Sequence, residues 1–208
     1  MTGGVDERKR ETLRRFAAVG AAAPFVGTAA GDEDRSGRDD NETREAIRGY
    51  VAMTPGAHFS KLRDDLSLGT GETQHHLRRL VDDGEVESVK DADYRRYFAA
   101  DRFDRPDKRA LGYLRRRTPR GIIITLLRDP DATGATLADT VGVSRPAISA
   151  AAGELADSGL LDRSDGYTLT EPERLLTLLV RYAESFDGDA VALADEAASL
   201  VRYDPDRF

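Results

Sequence analysis

Arginine carries most of the chemistry open to this chain. Of its 31 basic residues 27 are arginine and 4 are lysine, set against 25 aspartates and 13 glutamates. A guanidinium is a planar, permanently charged fork of donors that suits carboxylates and phosphates. These groups are unevenly placed. Residues 105–128 hold eight basic groups and one acidic one, whereas 129–208 hold six and sixteen, so a basic segment sits inside a chain of net charge -7. Up to residue 120 its members are Arg105, Lys108, Arg109, Arg115, Arg116, Arg117 and Arg120. For a partner rich in phosphate, the position of positive charge matters more than its total.

Other chemistries find little support. There is no cysteine, which removes disulfides, thiolate catalysis and cysteine-ligated zinc. His75 and His76 are adjacent, so on a helix they point about 100° apart, and His58 is the one other histidine. No metal site is expected. The chain has no G-x-x-x-x-G-K-[ST], no dinucleotide-binding glycine pattern and no G-x-S-x-G. With aspartate abundant throughout, a chosen carboxylate pair would not mark a catalytic site. Neither an enzyme nor a cofactor is expected.

The elements that must carry these residues fall into four segments. Residues 1–41 read as a disordered or loosely ordered tail, with an apolar stretch inside 13–30 and a polar run, Gly31 to Asn41, after it. Phe16–Ala30 is shorter than the ~20 residues a bilayer span requires. Its basic lead-in, Arg14-Arg15, also fits the start of an export signal. Membrane association is the alternative to a cytoplasmic tail.

Residues 42–104 show helical spacing at Ala46, Ile47, Tyr50 and Val51, ended by Thr54-Pro55-Gly56. A short helix follows from Phe59, then a turn at Leu68–Gly71, then a third helix with Thr73, Leu77, Leu80 and Val81 inward. Gly84 closes it as a left-handed cap. Val86–Val89 and Tyr94–Phe98 alternate at period two around a tight turn, which predicts a hairpin. Residues 105–170 repeat this layout with a basic first segment. The helices are expected at Ile122–Leu127, Leu137–Val141 and Arg145–Ser158, with a hairpin around Asp165-Gly166. Ser144 is placed to cap the third helix and Pro146 lies in its first turn. Residues 171–208 add an amphipathic helix over Pro172–Phe186 and an alanine-rich one near 190–201, expected to pack on the second unit or on another chain. The predicted fold is mainly α with small β-hairpin wings, a tandem winged helix-turn-helix.

Two segments, GETQHHLRRLVDDGEVESVKDADYRRYF and GVSRPAISAAAGELADSGLLDRSDGYTLT, carry a family resemblance. Over about residues 43–186 the chain resembles the archaeal, chiefly haloarchaeal, predicted transcriptional regulators with two helix-turn-helix domains. The Asp-rich, Lys-poor composition is similar to that of cytoplasmic proteins of salt-loving archaea. The resemblance implies sequence-specific binding of double-stranded DNA by the third helix of a unit, in the major groove, with the wing reaching the backbone. A homodimer on two half-sites is implied with it. In the first unit the implied contacts are Thr70, Glu72, Thr73, Gln74, His75, Arg78 and Arg79, with Lys90, Arg95 and Arg96 on the wing. Gln74 suits adenine, and arginine suits guanine or phosphate. Arg115, Arg116, Arg117 and Arg120 would clamp a phosphate backbone. In the second unit only Ser144, Arg145 and Ser149 fit such a role, since Ala150, Ala151 and Gly153 are small and Glu154 repels phosphate. The first unit is therefore the expected reader, with a protein-interaction role for these winged helices as the alternative.

Overall fold

The computed structural model describes residues 11–19, 35–91 and 94–200. The chain divides into two units, one ending at Asp104 and the other beginning at Arg105. Both are mainly helical with small antiparallel strands.

In unit 1, α1 (residues 11–19) and α2 (Arg35–Met53) precede a two-residue strand, β1 (Ala57–His58). Then come α3 (Phe59–Asp65), α4 (Thr70–Asp82) and a hairpin of β2 (Val86–Asp91) and β3 (Tyr94–Ala99). The stripe Ala46, Ile47, Tyr50 and Val51 is fully buried against Leu62, Leu66, Leu77, Leu80 and Val86, which form the core of the unit. α2 ends where it must, because Pro55 disfavours a helical Thr54 and Gly56 takes φ +78°. α4 begins at Thr70, earlier than the predicted turn implied. It closes through Gly84 at φ +72°, with Glu85 N–H bonded to the Leu80 carbonyl at 2.9 Å and Gly84 N–H to that of Val81 at 3.1 Å. That left-handed cap reverses the chain directly into β2.

β3 is the central strand, paired antiparallel to β2 and, on its other edge, to β1. The registers are Val86↔Ala99 through Asp91↔Tyr94, and Ala57↔Tyr97 with His58↔Arg96. β1 is too short to show a periodicity, and the sequence assigns no element to Ala57–His58. Part of the presumed tail also belongs to this unit. Leu13 of α1 is buried in the core, Phe16 and Ala17 pack on it, and the Phe16 ring meets Tyr50 edge-on at 5.3 Å. The spacing 13/16/17 places all three on one helical face. Residues 20–30 of the apolar stretch lie outside the described residues. Among the described residues no helix is long and apolar enough to cross a membrane.

Unit 2 contains α5 (Arg105–Leu114), α6 (Arg117–Arg128), α7 (Gly134–Val141) and α8 (Arg145–Asp157). A minimal hairpin of β4 (Leu161–Asp162) and β5 (Thr168–Leu169) follows, then α9 (Pro172–Arg181), a 3-10 turn (Ala183–Ser185) and α10 (Gly188–Leu200). The basic segment is thus divided between α5 and α6. Ile122, Ile123, Leu137, Ile148 and Leu155 are buried, and α5, α9 and α10 pack around α6. Thr133 and Ser144 accept bonds from the N–H of Thr136 and Ala147 and so cap α7 and α8. The helix predicted over Pro172–Phe186 ends at Arg181, continuing as the 3-10 turn.

Candidate nucleic-acid interface

The third helices of the two units, α4 and α8, are each thirteen residues long and bury the same positions. Thr73, His76, Leu77 and Leu80 face inward in α4, as do Ile148, Ala151, Ala152 and Leu155 in α8. The remaining faces can therefore be compared position by position. α4 turns Thr70, Gly71, Gln74, His75, Arg78 and Arg79 outward, all exposed. At the same places α8 carries Arg145, Pro146, Ser149, Ala150, Gly153 and Glu154. One helix presents amides, imidazole and guanidinium groups, the other short side chains and a carboxylate.

Thr70, Gln74, Arg78 and Asp82 recur every fourth residue and make one ridge along α4. That ridge is one wall of a groove of about 530 Å³ whose opposite wall is the hairpin, through Ser88 and Arg95. Phe59, Leu77, Val81 and Tyr97 complete the lining. Arg95 donates to the Ser88 hydroxyl at 3.2 Å, and Lys90, its partner in the β2–β3 register, is exposed beside it. Gln74 and Arg78 enter from the helix and Arg95 from the wing, so hydrogen-bonding side chains from two elements converge on one cleft.

Not every expected contact residue is available there. Thr73 is fully buried and its hydroxyl donates to the Gly69 carbonyl at 2.9 Å. Glu72 is half-buried and accepts from the Gly69 N–H at 3.2 Å, so it caps α4. Arg96 is 3% exposed, bound to Asp91, and donates to the Gly56 carbonyl at 3.0 Å. The reason is strand alternation: Arg95 and its neighbour must point to opposite faces of the sheet. Burial holds both His58 and His76 below the ordinary histidine range, so both stay neutral near neutral pH.

The basic run of unit 2 is similarly partitioned. Arg115 donates to the Ser185 carbonyl and hydroxyl at 2.6 and 2.8 Å, with its guanidinium 4.2 Å from the centre of the Phe186 ring. Arg120 is 8% exposed, donates to the Leu114 carbonyl at 2.6 Å and pairs with Asp187. Burial pushes the Asp187 carboxyl up, but the bonds and charge of Arg120 outweigh it and hold the group below the usual range. Arg116 pairs with Glu154 at 2.7 Å, and Arg117 is exposed at the first position of α6. In α8 the Ser144 hydroxyl is spent as a cap, while Arg145 and Ser149 are exposed. Arg163, from the turn between β4 and β5, lies beside this helix, 3.5 Å from the Ser149 carbonyl.

Sequence reasoning missed Ser88, Phe59 and Tyr97 as walls of the groove. Ser88 was within reach, since it shares a strand face with Lys90. Phe59 was not, because an aromatic at a helix start reads as core. Among the described residues no group of histidine and carboxylate side chains could hold a metal ion.

Comparison with known families agrees with this geometry. Residues 41–111 match an N-terminal helix-turn-helix domain, and residues 115–162 match a winged helix-turn-helix DNA-binding domain. No curated protein and no solved structure matches the chain. With two helix-turn-helix domains in tandem, the chain is a DNA-binding regulator.

Proposed function

We propose that the chain is a sequence-specific, cytoplasmic regulator of transcription in which unit 1 reads DNA and unit 2 does not read bases. The observation that carries this is the difference between the outward faces of α4 and α8, whose buried faces correspond position by position. Sequence is read by groups that reach base edges in the major groove. Gln74 can serve adenine bidentately and Arg78 or Arg79 guanine, with His75 beside them. Arg95, Lys90 and the hydroxyls of Thr70 and Ser88 would hold the phosphate backbone that enters the helix–wing groove. On unit 2, Arg117 and Arg145 remain exposed for phosphate, whereas Arg115 and Arg120 are engaged within the fold and Glu154 is held by Arg116. The protein acts as a homodimer that sets two copies of α4 on symmetry-related half-sites. No cofactor takes part.

The test compares the protein with an Arg78→Ala/Arg79→Ala variant, on fragments of its own upstream region and on shuffled duplexes. Each lost base contact is worth about 1–3 kcal/mol, so preference should fall by about an order of magnitude or more. A variant that keeps the parent's preference would move the reading to Arg145 and Ser149. If neither protein binds DNA while folded, a protein partner replaces DNA.

A further inference from the structure

The turn that leads from the third helix into the wing is built on Gly84 in unit 1 and on Gly159 in unit 2, each two residues past the end of its helix and at positive φ. The backbone closes both turns in the same way. Gly84 N–H bonds to the Val81 carbonyl at 3.1 Å and Glu85 N–H to that of Leu80 at 2.9 Å. The counterparts run from Gly159 to Ala156 at 2.8 Å and from Leu160 to Leu155 at 2.9 Å. The returning chain repeats the match, with Ala100 N–H on the Glu85 carbonyl and Thr170 N–H on that of Leu160. The side chains differ. Unit 2 flanks its glycine with Ser158 and Leu160, and Leu160 is fully buried. Unit 1 flanks Gly84 with two carboxylates, Asp83 and Glu85.

Both carboxylates are gripped from α2. One nitrogen of the Arg44 guanidinium donates to Asp83 at 2.7 Å and to Glu85 at 2.5 Å. Arg48, one turn along the same helix, pairs with Glu85 and, at 2.8 Å, with Glu45. The side chains of Arg44 and Glu85 are 26% and 18% exposed, so solvent and salt screen them only in part. Stability alone does not call for ions here. Apolar residues often serve a shielded site as well as an ion pair does, and Leu160 fills the matching place in unit 2. What charged hydrogen bonds add is direction, since they fix the distance and angle between their partners. Arg44 thereby ties the C-cap of α4 and the residue before β2 to one point on α2, across the glycine between them.

We infer that Arg44 is a positioning residue for DNA reading: through Asp83 and Glu85 it fixes the angle between α4 and the wing, and so the spacing of the two walls of the groove. This rests on unit 1 being the reader. Gln74 and Arg78 stand on one wall and Arg95 on the other, and they can engage bases and the flanking backbone together only at one separation. Arg44 is spent on the two carboxylates and makes no contact with DNA itself. Unit 2 carries no charge at the equivalent turn, in keeping with the lack of base-reading groups on α8.

The experiment uses the full chain with Arg44→Gln, Asp83→Asn/Glu85→Gln and the Arg78→Ala/Arg79→Ala variant. Affinities for a duplex from the protein's own upstream region and for a shuffled duplex are measured below the Tm of each protein, taken from circular dichroism melts. The readout is the ratio of the two affinities. Arg44→Gln and the acid-to-amide variant should each lower that ratio about tenfold, the worth of one misplaced base contact. The acid-to-amide variant decides the cause. It removes two negative charges, so on charge alone it would bind every duplex more tightly. It should instead lose affinity for the upstream duplex and hold or gain affinity for the shuffled one. If it keeps the parent's ratio while the double-arginine variant loses it, the positioning role is refuted and the reading by unit 1 stands. A loss confined to Arg44→Gln refutes it too, and makes Arg44 a direct contact. If the double-arginine variant keeps the parent's ratio, the reading by unit 1 falls and this inference with it. Asp83→Asn alone, at a side chain 47% exposed, repeats the test if the pair melts too low, with a smaller fall in the ratio expected.

Discussion

Arg95 and Arg96 are neighbours with the same side chain, yet the fold assigns them opposite consequences when removed. Arg96 is buried, ion-paired to Asp91 and bonded to the carbonyl of Gly56. Truncating it leaves that carbonyl without its donor and takes the buried guanidinium away from Asp91, whose side chain is 25% exposed. Breaking a buried pair from one side costs about 3–5 kcal/mol, and the partial exposure of Asp91 puts the expectation near 3 kcal/mol. For a domain of this size that amounts to about 10–20 °C in Tm. Arg95 is exposed and donates to the hydroxyl of Ser88. Arg95→Ala should leave the Tm within a degree or two, since exposed substitutions usually shift stability by no more than about 0.5 kcal/mol. It should instead remove about one phosphate contact, lowering the slope of log affinity against log salt by about 0.9. Parent and variant affinities then converge by about 3.5-fold between roughly 50 and 200 mM salt. The assay is fluorescence anisotropy on a labelled duplex across a potassium chloride series, run below the Tm of each protein. If folded Arg96→Ala lost the salt-dependent term and Arg95→Ala kept it, the assignment of strand faces would be wrong.

Two further outcomes follow from the same structure. His58 and His76 are held below their ordinary value of 6.5 by burial. The unfolded chain therefore takes up protons first, so stability is full above about pH 6.5 and falls as pH drops from there toward the folded-state values. Thermal melts across that range should show the loss, and His58→Asn/His76→Gln should flatten it; an unchanged slope counts against buried neutral imidazoles. Arg120→Ala should lower the Tm of the chain by about 10 °C or more, through the lost Leu114 bond and the unpaired Asp187. Its affinity for DNA measured below that Tm should match the parent's, and a selective loss of affinity would return Arg120 to the interface.

The three helices and the hairpin of each winged unit were legible because each carries a local signal, whereas α1, β1 and α5 were not anticipated. Ala46, Ile47, Tyr50 and Val51 mark a buried helical stripe, Pro55 and Gly56 end it, and Gly84 and Gly159 close α4 and α8 at positive φ. The outward face of α4 could be anticipated as well, because helical period alone separates Gln74, His75, Arg78 and Arg79 from Leu77 and Leu80. Burial of Thr73 was legible too, although its type suggested a contact.

What sequence could not assign was the fate of arginine. A guanidinium reads identically whether it meets a phosphate or a carboxylate of its own chain. Only the packing of α6 with α10 and the 3-10 turn brings Ser185 and Asp187 to Arg115 and Arg120, across about seventy residues of chain. The sequence by itself determined most of the helices, both hairpins and their turns, since propensity, period and caps act over a few residues. Tertiary structure alone decided which charges are spent inside the fold and which are left exposed, because ion pairing depends on distances in space that local pattern does not encode.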